Sequence, residues 1–121
     1  MAIGDKILAG GLPGAAARAI VGDVVSGQTA AGSTQATAFV LGAAITAFST
    51  AAASTGAILP PANVGDRFEV YNGGANSLTV YPPVGGTINN LSVNTGLALA
   101  TLKSGAYVCL GGGVYFSLLS G

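Results

Sequence analysis

The chain has 121 residues and no net charge, with four basic and four acidic side chains, so that charged residues make up only 7% of it. It also holds 20 glycines, one cysteine and no histidine. Four basic residues cannot neutralise the phosphates that a nucleic-acid site must contact, and this composition cannot build a zinc cage or imidazole catalysis. We therefore expect no enzyme activity, no cofactor, no metal and no nucleic-acid partner, which leaves structural or binding roles.

The first part of the chain, residues 1–32, is a candidate N-terminal arm. It is rich in glycine and alanine and shows no sustained helical or strand periodicity. A solvated tail would not carry so many large apolar side chains, so we expect an arm that becomes ordered on a partner, the alternative being a flexible tail. The residues predicted to contact that partner are Ile3, Ile7, Leu8, Leu12 and Arg18.

An uncharged stretch makes a membrane span worth testing. The best window, Ala36 to Leu59, is long enough to cross a bilayer. However, it is filled largely with Ser, Thr, Gly and Ala, and no basic residue or Trp/Tyr belt flanks it. The start of the chain also lacks the basic region of a secretory signal. We therefore expect no membrane partner.

From residue 33 onward, short β-prone runs alternate with turn residues, which predicts a β-domain over 33–121. Their spacing is typical of all-β sandwiches and barrels. The sequence shows no repeat of fixed period, so we do not expect a solenoid. We predict an all-β fold, an antiparallel β-sandwich or barrel-like domain with an extended, mostly irregular N-terminal arm. The candidate strands are Thr37–Leu41, Ala44–Phe48, Gly56–Leu59, Arg67–Asn72, Ser77–Tyr81, Leu97–Leu102, Ala106–Leu110 and Val114–Leu119.

Two parts of this domain are predicted as antiparallel units. In Asp66–Pro83, apolar and polar residues alternate on both sides of the turn Asn72–Asn76, which indicates a hairpin. From Leu97 to Leu119, tight Gly-containing turns predict a three-stranded meander. The residues predicted to face the core of the hairpin are Phe68, Val70, Leu78 and Val80.

The residues that could carry chemistry have simpler structural interpretations. Asp66 and Glu69 are the only close carboxylates, and three residues apart on a strand they point to opposite faces. We interpret Asp66 as a turn-capping residue beside Arg67, and Glu69 as solvated. Cys109 is predicted to be a small packed residue.

Four tyrosines fall on the phase opposite the aliphatic core positions predicted for their strands. Tyrosine combines a large contact area with a polar tip and is enriched at interfaces. We predict that these side chains face outward and contact other subunits, with ordinary half-exposed packing as the alternative. They are Tyr71, Tyr81, Tyr107 and Tyr115.

Several short motifs between Thr29 and Asn90 carry a family resemblance. The run TAAGSTQATA opens at Thr29, the step GAILP begins at Gly56, GDRFEVYN begins at Gly65, and NSLTVYPP ends at Pro83. This order of motifs resembles small virion proteins encoded by tailed bacteriophages. About half of the chain is covered, mainly by turn and strand residues.

The resemblance implies a capsid decoration (cement) protein that binds the outer capsid surface and stabilises the shell. It implies a homotrimer, the major capsid protein as partner, and a location in the virion. The arm over 1–32 would then lie along the capsid protein. The alternative is a head- or tail-fibre module that presents loops to a receptor or glycan, and a small membrane protein using Ala36–Leu59 is a third possibility.

Overall fold

The computed structural model describes residues 23–119, which form ten β-strands and one short 3-10 helix over Gln35–Thr37. The fold is therefore all-β, as predicted. Each of the eight predicted strands overlaps an observed one. The strands are β1 (Val24–Thr29), β2 (Phe39–Val40), β3 (Ile45–Thr50), β4 (Thr55–Ile58), β5 (Arg67–Asn72), β6 (Leu78–Tyr81), β7 (Thr87–Ile88), β8 (Leu97–Leu99), β9 (Lys103–Gly111) and β10 (Val114–Leu119).

The strands form two sheets that are wound as a short β-solenoid. The large sheet has the order β1-β3-β5-β9-β10-β7, and the small sheet has the order β2-β4-β6-β8. Each of the first three coils gives one strand to each sheet, and both sets of three pair in parallel. The first strands of these coils begin 21 and 22 residues apart. The prediction of an antiparallel sandwich or barrel without a repeat was therefore wrong.

The repeat escapes sequence inspection because the coils share strand placement without sharing residues. The connection between the two sheets spans residues 30–38 in the first coil, 51–54 in the second and 73–77 in the third. No residue motif therefore recurs at a constant spacing, although the coil length is nearly constant. The backbone path therefore repeats every 21 or 22 residues, whereas the residue types do not.

The chain reverses its direction after the third coil. β8 pairs antiparallel with β6, and β9 pairs antiparallel with β5. β10 then pairs antiparallel with β9, and β7 lies beside β10 as the edge of the large sheet. The predicted turn between β9 and β10 is confirmed. The predicted three-stranded meander is wrong, since β8 belongs to the other sheet.

The predicted hairpin over Asp66–Pro83 is also wrong, because β5 and β6 lie in different sheets. Their alternation was interpreted correctly: Val70, Leu78 and Val80 are buried, while Tyr71 is exposed. Alternation determines which side of a strand faces the core, but it does not select the neighbouring strand. The segment 73–77 is an arch that carries the chain across the core.

Asn72 organises this arch from inside the core, where it is fully buried. Its Nδ2 donates to the carbonyls of Asn76 and Leu99, both at 2.9 Å, and its Oδ1 accepts from the Gly74 N–H at 3.0 Å. Gly74 is required here, since a Cβ would come within 2.3 Å of the Ala51 nitrogen in the preceding coil. The arch is thus packed directly onto the coil below it.

The core fills the space between the sheets. Phe48 and Val70 from the large sheet face the small sheet, and the ring of Phe39 meets that of Phe48 edge-on at 5.2 Å. Burial of such side chains contributes about 1.5–3 kcal/mol each. The fully or nearly fully buried core residues of the small sheet are Ala57, Leu78, Val80 and Leu99.

Tyr107 and Tyr115 were predicted to face outward, and this prediction was wrong because both are buried in the core. Both phases of β9 are apolar, so alternation could not decide which one faces inward. The larger Tyr ring and the buried Cys109 occupy the inner phase, while Val108 and Leu110 lie on the outer one. The prediction that Cys109 is packed is confirmed.

The predicted arm overlaps the fold by one strand. β1 belongs to residues assigned to the irregular arm, and it pairs in parallel with β3. The predicted arm contacts Ile3, Ile7, Leu8, Leu12 and Arg18 lie outside the described residues.

Replacing Asn72 tests the importance of the arch. We expect Asn72→Ala to lower the free energy of unfolding by about 2–4 kcal/mol, because the buried Leu99 carbonyl and Gly74 N–H would each lose this partner and a third hydrogen bond, to the part-buried Asn76 carbonyl, would also be lost. Asn63→Ala is the matched control, since Asn63 is exposed and should change stability by less than about 0.5 kcal/mol. Urea denaturation measures both. Equal effects of the two substitutions would contradict the role assigned to Asn72.

The two buried tyrosines allow a matched comparison. The Tyr115 hydroxyl donates to the Pro60 carbonyl at 2.6 Å, whereas the Tyr107 hydroxyl has no partner among the described residues. We expect Tyr115→Phe to destabilise the fold by about 1 kcal/mol and Tyr107→Phe to stabilise it by about 1 kcal/mol. Denaturation of both variants under the same conditions measures the two changes in the free energy of unfolding. Changes of the same sign would contradict this prediction.

Alkaline titration gives a second readout of the same pair. Burial raises the pKa of Tyr107, and burial together with the nearby Cys109 and Asp66 raises that of Tyr115. The unfolded phenols lose their protons near pH 10 while the folded ones retain them, so stability falls as the pH rises above about 10. We expect Tyr107→Phe to reduce this slope. An unchanged slope would mean that Tyr107 ionises freely in the fold.

Candidate assembly surface

The outer face of the large sheet carries apolar side chains in register across neighbouring strands. Residues that lie opposite each other on paired strands project from the same face of a sheet. The pairings therefore align three rows on this face. The first row is Val24, Ile45, Glu69, Ala106 and Leu118; the second is Ala47, Tyr71 and Ser104; the third is Arg67, Val108 and Phe116.

A shallow depression of about 350 Å³ lies where these rows meet. Small residues of β9, including Ala106, line it together with Tyr71 and Leu118. Tyr71 is 41% exposed and Leu118 is 57% exposed. These two side chains leave a large apolar area accessible beside a depression that another protein surface can fill.

The charges on this face compensate each other. Arg67 Nη2 lies 3.5 Å from Glu69 Oε1, and both side chains are about half exposed. An exposed pair of this kind adds little stability, typically below about 1 kcal/mol. It does leave the face without net charge, and so lowers the electrostatic cost of covering it with a neutral partner.

The outer face of the small sheet, on the opposite side of the solenoid, is also apolar. Val40, Ile58 and Tyr81 are aligned across three strands. The Tyr81 ring lies so close to Gly56 and Gly96 that a Cβ on either glycine would approach it within 2.9 and 3.0 Å. The four strands of this sheet carry no charged residue.

The four predicted interface tyrosines therefore do not form one surface. Tyr71 lies on the outer face of the large sheet and Tyr81 on that of the small sheet, while Tyr107 and Tyr115 lie between the sheets. The apolar residues that surround Tyr71 were not predicted from the sequence, and Ile45 and Leu118 are the clearest of these.

The residues examined for chemistry have structural roles in the described part of the chain. The Asp66 carboxylate accepts from the Asn63 N–H at 2.9 Å, which confirms its predicted role in a turn. Cys109 Sγ lies 3.5 Å from the Ala62 carbonyl and 3.4 Å from the Gly111 nitrogen. Across residues 23–119, no three His, Cys, Asp or Glu side chains cluster as metal ligands would.

The same residues contain no helix of the length and hydropathy needed to cross a bilayer. No protein-family model, curated protein or solved structure matches the chain in comparisons with known proteins. The resemblance to phage virion proteins therefore stays a prediction.

A lysine placed on the large sheet tests whether its outer face is buried in an assembly. We expect Leu118→Lys to weaken self-association at least about tenfold, because covering the new ammonium costs more than about 1.4 kcal/mol. Val84→Lys is the matched control, since Val84 is 79% exposed and lies in a connection. Light scattering over a concentration series measures both variants. If Leu118→Lys associates like the control, this face is not an interface.

Proposed function

We propose that the chain is a non-enzymatic virion structural protein that binds the outer capsid surface of a tailed bacteriophage as a homotrimer and stabilises the shell. The observation that carries the assembly part is the pair of opposite sheet faces. Both faces present apolar side chains, and neither carries a net charge. The capsid and the trimer come from the sequence resemblance.

A subunit with two different apolar faces is suited to a closed ring of identical subunits. In a cyclic trimer each subunit meets its two neighbours through two different patches, so the contact is heterologous and closes by rotation. The Tyr71 face of one copy would lie against the Tyr81 face of the next. Each subunit would then bury both apolar faces with one type of contact.

The scarcity of charge favours such permanent contacts. Burying an ion pair costs desolvation that its own attraction repays only with excellent geometry. The faces described above expose Ser, Thr, Ala, Tyr and aliphatic side chains with a single compensated pair, Arg67 and Glu69. An assembly through them therefore gains apolar burial with little desolvation cost.

A third uncharged surface is available for the capsid. The connection over residues 82–96 exposes Val84, Leu91 and Val93. Asn94 holds it in place, because its Oδ1 accepts from the Gly85 N–H at 2.7 Å and from Gln35 Nε2 at 3.1 Å. A surface fixed in this way loses little conformational entropy on binding. We assign the shell contact to this connection.

The alternative of a fibre module has less support in the described residues. A glycan-binding fibre would present aromatic side chains at its loop tips, where they can stack on sugar rings. All eight aromatic residues of the sequence lie on strands instead. Glycan binding would favour the alternative if a sugar array gave a reproducible signal with the isolated chain.

Two variants separate trimer formation from capsid binding. We expect light scattering to give three times the chain mass, and we expect the protein to bind capsids assembled from the major capsid protein of the same phage. Val93→Lys should reduce capsid occupancy at least about tenfold with the trimer mass unchanged. Leu118→Lys should reduce the mass of the assembly itself.

Electron microscopy of mixed particles measures the occupancy, and mass spectrometry of purified virions tests whether the chain is present. A genome without capsid genes near this one, or virions that lack the chain, would overturn the proposed location. A monomer at every concentration would overturn the trimer.

A further inference from the structure

Asn72 and Gly73 form the only Asn-Gly pair in the sequence. Asparagine is a thermolabile residue, because the main-chain nitrogen of the following residue can attack its side-chain amide carbon. Glycine in the following position has no Cβ to hinder that attack. The other five asparagines precede Val, Ser, Asn, Leu or Thr. Asn72 is therefore the asparagine whose local sequence most favours the reaction.

The reaction of this pair needs only water as a second reactant. The Gly73 nitrogen loses its proton and bonds to Asn72 Cγ, while the bond from Cγ to Nδ2 breaks and ammonia leaves. Water then opens the five-membered succinimide ring at one of its two carbonyl carbons. The product is aspartate or isoaspartate at position 72, so an amide has been replaced by a carboxyl group.

The fold holds the reacting groups of this pair in place. Asn72 is fully buried, so bulk water does not reach it. Its Nδ2, the leaving nitrogen, donates to the carbonyls of Asn76 and Leu99. The Gly73 N–H donates to the Phe48 carbonyl at 2.8 Å, and the ring-closed intermediate has no hydrogen on that nitrogen. Ring closure inside the fold would therefore break three hydrogen bonds where water is excluded.

Neither product can rebuild the arch over residues 73–77. Aspartate is ionised at neutral pH and has no hydrogen to donate, so the carbonyls of Asn76 and Leu99 would face a negative charge instead of Nδ2. Burying a charge without a partner is very costly. Isoaspartate also inserts one carbon into the main chain, just before Gly74 packs against Ala51. A chain that has reacted therefore lacks the contacts that form the arch.

We propose that Asn72 is a spontaneous deamidation site that the fold shields, so that an unfolded chain loses the ability to fold once this site has reacted. The folded protein persists because its unfolded fraction is small. Time spent unfolded converts a reversible equilibrium into a permanent loss. The reaction takes place within one chain and does not depend on the proposed function.

An exposed copy of the same dipeptide tests the shielding. Val64→Gly places glycine after Asn63, where both side chains are exposed and lie between strands. We expect Asn72 to deamidate at least about a hundredfold more slowly in native buffer than in concentrated urea at the same mildly alkaline pH, because it reacts only through unfolding. Asn63 of the variant should slow by a much smaller factor.

Peptide mapping by mass spectrometry measures both sites in one sample, from the mass gained when an amide becomes a carboxyl group. Equal slowing of Asn63 and Asn72 on folding would overturn the shielding. A reaction of Asn72 in urea no faster than that of Asn76, which precedes serine, would also overturn the assignment of the labile site.

Refolding tests the consequence of the reaction. The chain is held in urea for increasing times, diluted, and separated by size-exclusion chromatography into refolded and aggregated fractions. We expect the refolded yield to fall with the rate constant at which intact Asn72 disappears. Modified Asn63 of the Val64→Gly variant should occur equally in both fractions. If the refolded fraction contains modified residue 72 in the same proportion as the whole sample, the proposal is overturned.

Gly73→Ala tests whether the Gly73 nitrogen is the attacking atom. The rate is measured in urea, where the variant does not need to fold. The added Cβ hinders the attack, so we expect Asn72 to deamidate at least about tenfold more slowly than in the unsubstituted chain. Equal rates in the two chains would overturn the proposed reaction.

Discussion

The hydrogen bonds of Asn72 fix the arch over residues 73–77, on which the rest of the fold depends. There the chain leaves the large sheet, crosses the core and enters the small sheet, next to the strands that run back over it. The buried side-chain amide of Asn72 donates to the carbonyls of Asn76 in the arch and Leu99 in the reversed strand, while the main-chain carbonyl of Asn72 accepts from the Leu102 N–H. The adjoining Gly73 N–H donates to Phe48 in the preceding coil. Three layers of the solenoid are thus fixed around one residue.

The positions of the strands could be predicted from the sequence, whereas their partners could not. Arg67–Asn72 and Val114–Leu119 were located correctly because β-branched and aromatic residues are bounded there by glycine and asparagine. The choice between a hairpin and an arch depends on the long-range bonds of Asn72, which leave no local pattern. In β9 and β10 both phases are apolar, so alternation could not show that Tyr107 and Tyr115 lie inside.

The lack of charge on the candidate surface could be predicted from the sequence, but the position of that surface on the large sheet could not. The lack of charge indicated neutral contacts, and Tyr71 lies at their centre. The rows around it arise only when β3, β5, β9 and β10 pair in one register, and this brings Ile45 and Leu118 together from distant parts of the chain. β1 was missed because Gly27, at a φ of +68°, interrupts its pattern with a backbone conformation that strands do not normally use.

The faces of the two sheets and their edge strands place different demands on an assembly. Contacts between two unlike faces form a ring of fixed size when the rotation from one copy to the next returns the last copy to the first, and an open filament when it does not. A free strand edge has no such limit, since each added strand presents a new edge to the next chain. A neutral chain also has little charge repulsion to oppose such growth. A finite assembly built through the sheet faces therefore requires that the edge strands of the two sheets, which are β1, β7, β2 and β8 among residues 23–119, do not pair with further chains.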